Sequence, residues 1–398
     1  MKTKLRFGVL LLQFSLLFGL LLNFSGCWNR REVEDLAIVV GIGVDRTEVP
    51  DNILFTAQIV KPGEAGKSSG ETAGGRSGET KAFWNVSSTK STIFDAARDV
   101  THQTGRRLFV AHNQVIIFGH DLATAGVQGY LDFFMRAHEM RPNNLVLVAN
   151  GTAAEVMDVK PEIEKLPAMN MTKVVQAYGL TSHMLKISLQ DFAARLMSKT
   201  QSPVAPLVQL EGDQEKRSVM VSGLAIFKKD KMVGSLNQSE ARGLLWATGK
   251  VQSGVITVPT PDGSGKVALE ILRSHTQTTP EIRGGTLRIR IAIQEEASLS
   301  EQSTTVNLIS MTGLRNLEKE QAEAIRREIR QAFDKSVELK SDFFGFGELF
   351  HQKYPARWTQ FEAGWDAAYP KIQLELRVKT MIRKTDLISR PVAPEEGT

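Results

Sequence analysis

The chain has 398 residues and a formal net charge of +5 at pH 7, but Lys2, Lys4 and Arg6 all precede Cys27, so 46 of its 49 basic residues remain after that point against 44 acidic ones, about +2. A nearly neutral chain without a clustered basic face excludes nucleic acid as an expected partner. Cys27 is the only cysteine, which excludes internal disulfides and cysteine metal centres, and the 371 residues that follow it are too many for one ordinary core.

The first 27 residues are laid out as an export signal. A positive n-region leads into Gly8 to Leu22, which is apolar except for Gln13, Ser15 and two glycines. It ends at Phe24-Ser25-Gly26-Cys27, with Phe24 where Leu is usual. Small residues before a cysteine let a lipoprotein signal peptidase approach the peptide bond, and the thiol then carries diacylglycerol. Cys27 is therefore the expected lipid attachment site, with membrane lipid as its partner. Each buried CH₂ contributes ~0.8 kcal/mol, so two or more chains give a stable anchor. The alternative is an uncleaved signal anchor, since roughly 19 apolar residues are enough to cross a bilayer. In either case the positive n-region stays inside and the remainder is exported.

Leu36 to Val44 reads as a strand buried on both faces, and Asn52 to Val60 as a second. Residues 61–80 hold six glycines and no apolar stripe, which predicts a mobile surface loop. Phe83 to Val86 resumes the strands. A helix from Thr92 places Ile93, Ala97 and Val100 on one face. Val115 to Phe118 and Leu145 to Val148 are short apolar runs with a helical segment around Tyr130 to Phe134 between them, which points to mixed α/β structure. Ser188 and Asp191 predict a capped helix carrying Leu189, Phe192, Ala193, Leu196 and Met197, closed by Pro203 and Pro206. Val219 to Phe227 and Met232 to Leu236 flank Lys228-Lys229-Asp230-Lys231, a hairpin with an exposed charged tip. Asn237 and Glu240 cap a helix with Leu244, Leu245 and Trp246. Val255 to Val258 is a strand ended by Pro259 and Pro261. Leu287 to Ile293 and Ile372 to Lys379 alternate apolar with polar residues. The long helix 317–340 between them has a stripe of Ile325, Ile329, Phe333 and Val337, its other faces solvated. The alternation implies antiparallel strands with one wet face.

These elements predict an α+β (mixed α/β) protein with a β-sheet and packed helices in each of three domains. The expected divisions are the signal peptide 1–27, a mixed α/β domain 28–160 containing the mobile loop, a middle domain 161–262, and a largely antiparallel C-terminal domain 263–390.

No enzyme signature survives inspection. Gly66-Lys67-Ser68-Ser69-Gly70 has the bare nucleophile-elbow pattern without the strand and helix that must flank it. Gly63 to Ser68 is two residues short of a phosphate loop, and Gly41 and Gly43 lack the third glycine of a dinucleotide fingerprint. The seven histidines include no pair at metal-ligand spacing, and His112 and His120 read as solvated or hydrogen-bonded. Asp45 reads as a strand-end turn residue. No cofactor and no metal are expected.

Longer blocks carry a family resemblance. Cys27-Trp28-Asn29-Arg30-Arg31-Glu32-Val33-Glu34-Asp35-Leu36-Ala37, running to Gly41-Ile42-Gly43-Val44-Asp45, resembles the mature N-terminus of the Ger(x)C spore-germination lipoproteins. So do Gly223 to Gly234 with Glu240 to Trp246 and Gly254 to Pro259, and Ser341-Asp342-Phe343-Phe344-Gly345-Phe346-Gly347 with His351, Lys353, Tyr354, Pro355 and Trp358. The resemblance implies a three-domain, non-catalytic C subunit of a nutrient germinant receptor. Such a subunit sits on the outer face of the inner spore membrane and acts with two integral membrane subunits, A and B. Each block reads first as turns and close packing, with Phe344 to Gly347 a bend that docks aromatics on the sheet; the alternative is partner contact, with Lys228, Lys229, Lys231 and Phe344, Gly345, Phe346, Gly347 as the candidates. A rival reading, a solute-binding lipoprotein of a transporter, would need two similar parallel βαβ lobes. Another, a cell-wall hydrolase, would need a carboxylate pair or zinc site.

Overall fold

The computed structural model describes residues 6–8, 10–15, 33–65, 81–213, 216–306 and 308–384. The expectations for Cys27, for most of the signal and for 66–80 lie outside the described residues. Among the described residues no helix is long and apolar enough to cross a membrane.

Strands β1 (Leu36–Arg46), β2 (Ile53–Val60), β3 (Phe83–Lys90), β4 (Arg107–Phe109), β5 (Val115–Phe118), β6 (Leu145–Ala149), β7 (Val204–Glu211), β8 (Ser218–Lys228) and β9 (Lys231–Leu236) form one sheet. Its order is β3-β2-β1-β5-β6-β7-β8-β9, with β4 beside the start of β1. The central strands β1, β5, β6 and β7 are parallel and both flanks are antiparallel. Parallel strands need cover on both faces, and the sequence supplies it. Helices α1 (Ile93–Thr104), α2 (His120–Ala125), α3 (Gln128–Arg136) and α6 (Leu189–Met197) bury apolar residues in the core on one face. Helices α4 (Ala153–Asp158) and α5 (Pro167–Gln176) do so on the other.

Gly41 and Gly43 are explained by that second face. A Cβ on Gly41 would stand 2.9 Å from Ala168 Cβ, and one on Gly43 2.8 Å from Met157 Sδ. The two glycines let α4 and α5 lie directly on β1.

The second sheet has the order β10-β11-β12-β13: β10 (Val255–Pro259), β11 (Lys266–Arg283), β12 (Thr286–Gln302) and β13 (Gln373–Lys384). Helix α7 (Gln238–Thr248) precedes it. The 28-residue α8 (Met311–Glu338) crosses it, and α9 (Phe346–Lys353), α10 (Pro355–Glu362) and α11 (Trp365–Ala368) lead into β13. One hydrophobic core runs from the first sheet into the second.

The mixed α/β class stands as read from the sequence, and the following particulars differ. Strand pairing gives two sheets: Val148↔Leu207 crosses the expected boundary at 160/161 and the β10–β11 ladder crosses that at 262/263. The last strand, expected to be antiparallel, runs parallel to β12, from Arg288↔Gln373 to Ser298↔Lys384. Alternation reports one wet face and not direction, and α8 supplies the crossover that a parallel pair requires. Residues 62–65 of the expected loop form a helical turn whose Ala65 carbonyl accepts from Lys165 Nζ at 2.9 Å. Pro206 closes no helix; it lies in β7, opposite Leu224. Met197, expected on the apolar stripe, is exposed because its turn ends the helix.

Candidate functional sites

The hairpin joining β8 and β9 turns tightly, with Lys228 opposite Lys231 and Lys229 in the left-handed region at φ 55°. Two contacts dock the turn. Val127 N–H donates to the Asp230 carbonyl at 3.0 Å, at the start of α3, and Lys228 Nζ lies 2.7 Å from Asp366 Oδ2 on α11. The tip expected to be wholly exposed thus presents Lys229 and Lys231 to solvent, while Lys228 is half-buried and paired.

The aromatic block is core rather than surface. Phe343, Phe344, Gly345, Phe346 and Gly347 are all buried, with Phe344 stacked on Phe346 at 4.8 Å and on Phe343 at 4.9 Å. Asp342 organises the turn. Its Oδ1 accepts from Gly345 N–H (2.9 Å) and Phe346 N–H (3.0 Å), and its Oδ2 from Gly347 N–H (2.7 Å) and Trp365 Nε1 (3.2 Å). Gly345, at φ 76°, makes the bend that brings these N–H groups together. Burial outweighs the hydrogen bonds and pushes the Asp342 carboxyl up to about 6. The same segment fastens the two sheets. Ser341 Oγ donates to the Phe227 carbonyl at 2.8 Å, and Ser202 N–H donates to the Asp342 carbonyl at 2.9 Å. As contact surface, Phe344 to Gly347 are therefore unavailable in this fold. The bend that docks aromatics is what forms; its cap was not read, and the aspartate three residues before Gly-Phe-Gly was the signal for it.

A second joint was also missed. Arg242 on α7 and Glu328 on α8 form a buried ion pair. Arg242 Nε is 2.9 Å from Glu328 Oε2, and a second guanidinium nitrogen contacts Oε1. Trp246 Nε1 donates to Glu328 Oε2 at 2.9 Å, and Arg242 also reaches the Val255 carbonyl (2.8 Å) and His183 Nε2 (3.2 Å). Burial, then the Arg242 charge, lowers the His183 pKa. The helices touch because residue 243 is glycine: a Cβ there would fall 2.1 Å from the Glu328 carbonyl oxygen. The faces of α8 off the apolar stripe are thus not all solvated. Glu328 follows Gln321 by seven residues, and both are buried; a polar pair at core spacing was the legible signal.

The weaker sequence candidates resolve simply. Asp45 is buried, and its carboxylate accepts from Ala153 N–H (2.7 Å) and Ala154 N–H (3.0 Å), closing the N-terminus of α4. Burial is the main influence on its pKa and raises it. His112 and His120 take separate places, one edge-on to Phe109 and the other 3.2 Å from Asp121. Among the described residues no three His, Cys, Asp or Glu side chains are grouped as a metal site.

The surface also carries a cleft of about 750 Å³ between α1 and α3, with Leu108 and Val110 in its lining.

Two sheets locked by buried polar joints, with Asp45, Asp342 and Glu328 placed as caps and ties, define a mixed α/β scaffold. Two family models match it in succession. The spore germination protein N-terminal domain matches residues 29–210, and the domain described as spore germination B3/GerAC like, C-terminal, matches 222–386. The chain is similar to spore germination protein KC of Bacillus subtilis (strain 168), 29% identical over 388 residues, covering 92% of this chain and 94% of that one. It is similar also to spore germination protein B3 of the same organism, 26% identical over 375 residues, with 93% and 96% covered. The crystal structure of the GerBC protein has the same fold, with TM-score 0.54 at 19% identity over 86% of this chain and 96% of that one. The chain belongs to the Ger(x)C family of spore germination proteins.

Proposed function

We propose that this protein is the lipid-anchored, non-enzymatic C subunit of a spore nutrient germinant receptor, working with integral membrane A and B subunits on the outer face of the inner spore membrane. The observation that carries the reading is the continuity of the family match, residues 29–210 and then 222–386, together with relatives that are spore germination proteins over nearly their whole length. The buried charged groups support a structural role. Asp45 and Asp342 cap turns and Arg242 and Glu328 tie helices, so none of these is free for proton transfer. The signal layout ending at Cys27 supports the anchor. The eight residues from Trp28 to Asp35 span at most about 29 Å when extended, so a lipid on Cys27 would hold the start of β1 near the bilayer.

The test is a deletion strain complemented with the wild-type chain or with Cys27→Ala. Loss of the protein should abolish germination by one class of small nutrients and leave non-nutrient triggers intact. Only the wild-type chain should incorporate labelled fatty acid. A Cys27→Ala chain that still takes up label would sink the anchor, and a deletion strain that answers every nutrient normally would sink the receptor role.

A further inference from the structure

The cleft between α1 and α3 combines apolar side chains with charged ones. Apolar side chains form much of its lining: Phe94 and Ala97 on α1 and Phe133 on α3, with Leu108 and Val110 from the segment between them. Phe94 is 58% exposed and packs at 6.4 Å on Phe133. An aromatic held open beside a second aromatic is the kind of surface a ligand covers. At about 750 Å³ the cleft is also of the size that encloses small molecules.

Three arginines line it, and they differ in one respect. Arg107 is engaged by Glu139 at 2.7 Å, and Arg136 by Asp132 at 2.6 Å. Arg98 has no carboxylate partner among the described residues. Its guanidinium carbon lies 5.1 Å from the Phe94 ring centroid, which orients it at the cleft wall. Two pairs neutralise themselves and one cation is left over an apolar floor. That arrangement complements a molecule with one negative end and an apolar body.

We propose that this cleft binds a small organic carboxylate with an aromatic or branched apolar body, its anionic group on Arg98 and its body between Phe94 and Phe133. The inference goes beyond the receptor reading and does not rest on the anchor or on any partner subunit.

The experiment titrates the full chain, purified in detergent, with phenylacetate, and with benzylamine as the probe of opposite charge. Calorimetry should show saturable one-to-one binding of phenylacetate in the millimolar range or tighter and none of benzylamine. Arg98→Gln should weaken phenylacetate binding about tenfold or more, the usual effect of losing a charged hydrogen bond. Ala97→Phe should abolish it by filling the cleft, and Arg141→Gln, an exposed residue outside the cleft lining, should leave it unchanged. Melting curves for each variant check that the fold is kept. Failure of phenylacetate to bind the wild-type chain, equal binding of the amine, or an Arg98→Gln variant that binds as well as wild type would each overturn the proposal. So would an acidic amphipathic peptide that binds the cleft without displacing phenylacetate, because the carboxylate would then sit elsewhere.

Discussion

Glu295 on β12 shows how one residue can set a pH dependence. It is 1% exposed and accepts from Gln321 Nε2 at 3.1 Å, while Glu295 Oε2 and Gln321 Oε1 are buried without partners. Burial is the largest influence and pushes the carboxyl from its ordinary 4.5 up to about 8. A proton on Oε2 gives that oxygen a hydrogen to donate, so the neutral acid suits the site. Because the folded pKa lies above the unfolded one, this stability is present in full below about 4.5 and is lost as pH rises through about 8. The loss across that window should be on the order of 5 kcal/mol. Denaturation midpoints of wild type and Glu295→Gln between pH 4.5 and 9 check it. The isosteric amide should flatten this contribution, and parallel pH profiles for the two proteins would refute it.

At the scale of elements, α7 and α8 are held by an interaction whose sign depends on how it is removed. Arg242→Leu or Glu328→Leu alone leaves a buried, unpaired charge and should destabilise by about 3–5 kcal/mol. Removing both should be much milder than the sum, because the desolvated charges disappear together. Chemical denaturation of the two single variants and the double variant measures this. Additive losses would mean that the pair is hydrated and not coupled. Caps, in contrast, were readable directly. Ser188 with Asp191 and Asn237 with Glu240 form capping boxes, and Thr92 accepts from Asp95 N–H, because a cap is a contact between residues three apart and needs nothing distant. Strand direction in β13 was not readable for the opposite reason. The alternation of Leu374, Leu376 and Val378 is the same for a parallel or an antiparallel neighbour.

On the scale of the whole molecule, the hairpin between β8 and β9 sits where the first sheet meets the C-terminal helices. Lys228 belongs to that junction through Asp366, whereas Lys229 and Lys231 point outward. Reversing Lys228 exchanges a partly exposed pair for a repulsion and should destabilise by roughly 1 kcal/mol or less. Lys229→Glu with Lys231→Glu should stay within about 0.5 kcal/mol. The pair of outer lysines is therefore the clean functional probe. If the tip meets a partner or lipid headgroups, the double reversal should slow nutrient germination at unchanged protein level. Normal germination would mark the tip as a solvated turn.

Much of the molecule was legible from local pattern. Apolar runs located the strands, and periodicity found α8 and three of its stripe residues, Ile325, Ile329 and Phe333, which are buried. The blocks Cys27 to Asp45, Gly223 to Trp246 and Ser341 to Gly347 carried the family likeness by themselves. What tertiary structure decided was where those pieces meet. The strands from 36 to 236 join one sheet because β6 finds β7 across more than fifty residues, and no local pattern encodes that distance. The role of Glu328 came from Arg242, 86 positions away, and the burial of the aromatic block came from the caps on Asp342. Local contacts are written in spacing. Partners far apart in the chain are chosen by packing, and only packing turned a solvated-looking glutamate and an aromatic bend into the joints that hold the two sheets together.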